Sequence, residues 1–160
     1  MPVKSLKSKM GANDIHIVIN GDAKSLVAYD VNGKPKLQGE AHCYGQHADW
    51  TRTNGDTPPG VYEVGEIFDT PGEAAYGWYC IDLIDLEGQE SKYRRAGISI
   101  HGGGTNLPNP FAPRQGWLAT HGCVRVQNFF LEMIVKLIKS TRALGGRVFV
   151  QVYYPNGRLD

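Results

Sequence analysis

The 160-residue chain is ordinary in bulk: 41% hydrophobic, 21% charged, with net charge +1 and a sequence pI near 7.7. A single domain of this length buries about 70% of its unfolded surface, enough for a sizeable core. The near-neutral balance supplies no concentrated basic face, which argues against nucleic acid as the main ligand.

In chain order, Lys4, Lys7 and Lys9 are followed by no apolar run. Residues 1–13 therefore read as a flexible N-terminal extension without the hydrophobic segment of a secretory signal, and no stretch elsewhere spans a bilayer. Ile15, Ile17 and Ile19 alternate with His16, Val18 and Asn20, the period-two pattern of a strand, and Asn20-Gly21-Asp22 marks a hairpin turn. "SLVAYD" (25–30) is a second strand ending at the turn pair Asn32-Gly33, and "KLQGEAHCYG" a third. "TPPG" (57–60) is a rigid turn feeding "VYEVGEIF", and "YGWYCIDLID" (76–85) is rich in aromatic and β-branched residues. One helix is expected, capped by Asn128, with Phe130, Ile134, Leu137 and Ile138 on one face, a Glu132–Lys136 pair and a Gly145-Gly146 stop. "RVFVQVYY" returns as a last strand. The expected architecture is mainly β and antiparallel, a sandwich or partly open barrel with one principal helix. One domain covers 14–154, and 155–160 form a tail.

Two segments carry candidate chemistry. In "GISIH", Ile98 and Ile100 point to one face and Ser99 and His101 to the other, more open one. In "THGCVRV", Val124 and Val126 share a face while His121, Cys123 and Arg125 share the other. A thiol beside imidazole and guanidinium groups is the setting a cysteine nucleophile needs, because nearby positive charge favours the thiolate. Gly122 lets main-chain N–H groups near Cys123 turn toward a developing oxyanion. On geometry alone His101 and His121 tie as base, although His121, two residues from the thiol, tends to lie alongside it. The three cysteines, Cys43, Cys80 and Cys123, are an odd number, so no disulfide framework is expected, and Cys80 reads as buried and inert. His42, Cys43 and His47 form the one local zinc alternative, but they lack paired C-x-x-C spacing.

"HG", a spacer covering 103–119, and "THGCVR" together resemble the signature of the L,D-transpeptidase catalytic domain, with the spacer at the long end of the family's range. The strands from Ser25 and the "TPPG" turn resemble the family's opening, so the resemblance spans roughly 14–154. It implies a peptidoglycan enzyme of the periplasm or cell wall. Cys123 is then the nucleophile and His101 the base, the Gly102 carbonyl orients the ring, and the Gly122 and Cys123 N–H groups form the oxyanion hole. Thr120, His121 and Arg125 shape the pocket, with Arg125 facing a substrate carboxylate. Trp117 and Tyr79 are candidate groove residues. No cofactor is implied. The partners are stem peptides, with carbapenem-type β-lactams as inhibitors. Three alternatives stand beside this: the same nucleophile serving water as an L,D-carboxypeptidase or endopeptidase, a non-catalytic wall-binding module, and a metal site on His101, His121 and Cys123.

Overall fold

The alternation of Ile15, Ile17 and Ile19 is realised as β1 (Ile15–Asn20), whose isoleucines are buried in the core. The computed structural model describes residues 10–156; the first nine residues of the expected extension, and 157–160 of the expected tail, lie outside the described residues. Asn20 Oδ1 accepts the Ala23 N–H and opens the turn into β2 (Ser25–Tyr29). Asp30 Oδ1 accepts the N–H groups of Asn32 and Lys34 and turns the chain into β3 (Pro35–Glu40). β4 (Gly60–Asp69), β5 (Tyr79–Asp85), the short helix α1 (Gln89–Tyr93), β6 (Ser99–His101) and β7 (Val124–Arg125) follow. Helix α2 (Asn128–Ala143) and β8 (Val148–Tyr153) complete the order.

The eight strands form one sheet in the order β3-β2-β1-β8-β4-β5-β6-β7. It is mixed rather than antiparallel throughout: β1–β8 and β6–β7 are parallel and the other pairs antiparallel. The expected sandwich is thus a single sheet curled into a half-barrel. A bridge between His42 and Arg125 links the chain just beyond β3 to β7, so the two edges approach each other. That link covers edge groups that would otherwise be open to another chain. Phe130, Leu131, Ile134 and Ile138 of α2 fill the concave side, packing with Ile17, Ile19, Ile81, Leu83, Ile100 and Val124. The Glu132–Lys136 pair forms at 4.0 Å. No helix among the described residues is long and apolar enough to cross a membrane.

The other side of β1 is also covered. His16 is 1% exposed, its strand neighbours are Tyr29 and Phe149, and its ring faces the Gln151 side chain without a well-formed hydrogen bond at either nitrogen among the described residues. Burial lowers its pKa to about 4. The folded chain therefore keeps His16 neutral while the unfolded chain protonates below about pH 6.5. Stability is lost as pH falls from there toward 4, by at most about 3 kcal/mol. His16→Leu is expected to flatten this part of the acid slope. Thermal unfolding of parent and variant at pH 7 and pH 4.5 checks it; parallel shifts in the two proteins would refute it.

Candidate active site

Strand parity divides the β5–β6–β7 end of the sheet. Ile81, Ile98, Ile100 and Val124 enter the core with α2. Directly paired residues share a face, so Cys80, His101 and Arg125 line the opposite side, because His101 pairs with Cys80 on β5 and with Arg125 on β7. Ser99 and Cys123 join them, with Ser99 Oγ donating to Cys123 Sγ at 3.3 Å. This face is not open, as parity alone suggested. Ser99, His101 and Arg125 are 6%, 4% and 5% exposed. The Tyr76 ring stands edge-on to His101, 5.2 Å between centroids.

His101 Nδ1 lies 2.8 Å from the Gly102 carbonyl oxygen. A carbonyl only accepts, so Nδ1 carries the proton and Nε2 is left with the lone pair. Burial, reinforced by the Arg125 charge, lowers the ring's pKa to about 4. The imidazole is consequently neutral at ordinary pH, in the state that accepts a proton. The glycines around it allow a close approach: a Cβ on Gly102 would lie 2.2 Å from Asn128 Oδ1. Asn128 was expected to cap α2. It is instead a buried tie, donating through Nδ2 to the Pro110 and Ala112 carbonyls and accepting the Trp78 and Gly103 N–H groups on Oδ1. Gln127 holds the cap position.

Cys123 follows a bend rather than an extended run, with Gly122 at φ 112. The Thr120 hydroxyl accepts the Gly122 N–H at 3.0 Å and donates to the Cys123 carbonyl at 2.7 Å, closing the turn on itself. The Gly122 N–H is thereby engaged, while no acceptor among the described residues takes the Cys123 N–H. The thiol is partly exposed. Its proton is directed at the Gly97 carbonyl, 3.5 Å away, and its lone pair receives the Ser99 hydroxyl. Among the described residues no hydrogen bond joins it to His101.

The bend separates the residues that an extended strand would have aligned. His121 is exposed, and its carbonyl accepts from Arg95 Nη2. Arg125 is buried and braces the main chain, donating to the carbonyls of Gly102 and Leu118. Trp117 stacks on His42, 3.6 Å between centroids and 5° between planes, and His42 pairs with Glu40 at 2.5 Å. Cys43 is fully buried beneath Thr57, its thiol pushed up to about 12 by burial, and His47 bridges to Gly55 in the next loop. The local zinc alternative is therefore dispersed, and no cluster of three or more His, Cys, Asp or Glu suited to a metal occurs among the described residues. Tyr79 belongs to the other face of β5. Its hydroxyl bonds Glu132 of α2, which pushes it up to about 12, and it lines a groove with Trp78 and Phe111. Cys80, expected to be buried and inert, is only partly buried and is the cross-strand partner of His101; burial nonetheless raises its pKa and holds it as a thiol.

Two residues beside the thiol carry no assigned role in the sequence. Ser99 had a signal, the same parity as His101. Arg95 had none: its guanidinium reaches four main-chain carbonyls scattered between Trp50 and His121.

A partly exposed thiol and a buried neutral imidazole, on one face and flanked by glycine turns, fit acyl transfer. Residues 14–150 match the family model of the L,D-transpeptidase catalytic domain (YkuD). The chain belongs to that family. Solved structures show the same fold at low identity. The helical cell shape determining protein Pgp2 of Campylobacter jejuni is 19% identical, with TM-score 0.63 over 99% of this chain and 57% of that one. Bd1075 of Bdellovibrio bacteriovorus is 17% identical, with TM-score 0.62 over 92% of this chain and 49% of that one. An L,D-transpeptidase of Stackebrandtia nassauensis is 15% identical, with TM-score 0.50 over 96% of this chain and 66% of that one. The L,D-transpeptidase domain here spans about half the length of the first two structures. No curated protein matches the chain.

Proposed function

We propose that the chain is a peptidoglycan L,D-transpeptidase of the periplasm or cell wall that works through a Cys123 thioester. The observation that carries this reading is the shared face of Cys123, Ser99 and His101, with the His101 ring fixed by Gly102. Cys123 turns from Ser99 toward His101, and Nε2 takes the thiol proton as sulfur attacks the carbonyl of the third stem-peptide residue, a diamino acid. The Cys123 N–H, which no acceptor among the described residues takes, stabilises the oxyanion, and one such donor is worth roughly 3–4 kcal/mol of barrier. Gly122 contributes the bend that aims it, its own N–H being held by Thr120. As the C–N bond breaks, His101 returns the proton to the leaving amine and D-alanine departs. An amine of a second stem then attacks the thioester and yields a 3→3 cross-link. Water in its place yields an L,D-carboxypeptidase or endopeptidase. Thr120, His121 and the Trp117 wall frame the approach to the thiol in this reading.

Incubation with tetrapeptide stems, followed by mass analysis, tests it directly. Release of D-alanine with a transient adduct on Cys123 is expected, and the ratio of cross-linked to trimmed product identifies the acceptor. A carbapenem is expected to add its full mass to the same residue. No adduct on Cys123 from either reagent would refute the assignment. Activity lost to a chelator and restored by zinc would refute the metal-free mechanism.

A further inference from the structure

Arg95 follows the short helix α1 and is 6% exposed. Its Nη1 donates to the carbonyls of Trp50 and Asp56, both at 3.0 Å, and its Nη2 to those of Gly55 at 3.2 Å and His121 at 3.3 Å. All four acceptors are neutral main-chain oxygens, and the ion pairs among the described residues do not include it. Burying a cation this way is costly, and a fork of fixed donors is what distinguishes arginine from lysine in such a place.

The geometry says what the fork holds. Nη1 grips the 50–56 loop, and Nη2 joins that loop, at Gly55, to the carbonyl of the peptide just before Gly122. A Cβ on Gly122 would fall 1.5 Å from Arg95 Nη2, so the guanidinium fills the space beside the bend that presents Cys123. The His121–Gly122 peptide is thus pinned by its oxygen to Arg95 and by its nitrogen to Thr120. With that peptide held at both ends and the Cys123 carbonyl held by the Thr120 hydroxyl, the peptide that carries the Cys123 N–H is restrained on both sides. An ionised Cys123 sulfur would act favourably on the Arg95 charge.

Building on the acyl-transfer reading above, we propose that Arg95 is a positioning residue for that chemistry. Its buried fork locks the His121–Gly122 peptide to the 50–56 loop, aims the Cys123 N–H at the developing oxyanion and keeps a positive charge beside the Gly122 bend.

Two reagents separate this from a merely structural role. Iodoacetamide alkylates the thiol without forming an oxyanion, whereas opening a carbapenem ring forms one. Arg95→Lys, checked for cooperative unfolding, is expected to be alkylated at Cys123 within about tenfold of the parent. Its acylation by the carbapenem is expected to slow by roughly 10²–10³-fold, the range for losing one oxyanion donor. Arg95→Ala should regain acylation when guanidinium ion is added, and not with sodium chloride at the same ionic strength. If neither variant folds, Gly122→Ala disturbs the same contact from the other side and should show the same selective loss. A folded variant acylated within about threefold of the parent, or rates that fall in step for both reagents, would overturn the proposal. An active parent matched by Arg95→Lys would overturn this inference alone. A parent inert to the carbapenem would overturn the functional reading and this inference together.

Discussion

Cys123→Ala is expected to abolish D-alanine release and carbapenem uptake, a loss on the order of 10⁴-fold or more, while leaving the fold intact. The large effect follows because, in the proposed mechanism, Cys123 is the group that bonds to the substrate carbonyl. The small structural effect follows from its surroundings: the thiol is partly exposed and its hydrogen bonds run to Ser99 and the Gly97 carbonyl rather than into the core. Neither remaining cysteine can take over. Cys43 is sealed in the core with its thiol pushed up to about 12, and burial also keeps Cys80 protonated. Replacing either by alanine should leave acylation within about tenfold, a barrier change near 1.4 kcal/mol. Cys80 makes this a demanding test, because it is the direct strand neighbour of His101. Intact mass of Cys123→Ala after exposure to carbapenem is the deciding measurement. An acyl adduct on Cys80, or turnover without Cys123, would reject the assigned nucleophile.

Local pattern carried much of this molecule. The isoleucine alternation of β1, the turns at 20–22 and 32–33 and the α2 periodicity are settled by neighbours in sequence, and the structure has them at those places. Parity also placed Ile98 and Ile100 in the core and His101 opposite them. Parity failed on exposure, because what covers the second face of a sheet is decided by loops that cross it from elsewhere in the chain. Tyr76 closes over His101 from a loop before β5, and three of the four partners of Arg95 come from a loop before β4. The parallel pairing of β1 with β8 joins the two ends of the domain and has no local signature. Asn128 misled for a related reason. Its type and place suit a helix cap, but its side chain meets four main-chain groups belonging to three other segments, and those bonds leave none for capping. The Cys123 segment reads as extended only until Gly122 takes a positive φ, after which His121 and Cys123 no longer share a face.

That last point bears on which histidine is the base. His101→Ala is expected to slow acylation by roughly 10²–10⁴-fold, the range for a positioned acid–base group, and His121→Ala to do much less. His121 is exposed and lies on the far side of the bend, so its ring has solvent on offer and no fixed bearing on the sulfur. The His101 ring is held at Nδ1 by Gly102, leaving Nε2 as an acceptor, and burial keeps it unprotonated down to about pH 4. The sign follows from that shift: the base is present above the folded pKa and is lost as pH falls through it. The acid limb of carbapenem acylation should therefore lie near 4, below the usual imidazole range of about 6.5. Rates must be taken on protein shown to be folded at each pH, because neutral burial of His16 and His101 also draws stability down in the same direction. In His101→Ala the remaining slow reaction should lose this limb, whereas in His121→Ala the limb should stay where it is. If only His121→Ala moves the limb, or if the parent's limb lies between about 6 and 7 as for an exposed imidazole, His101 is not the base.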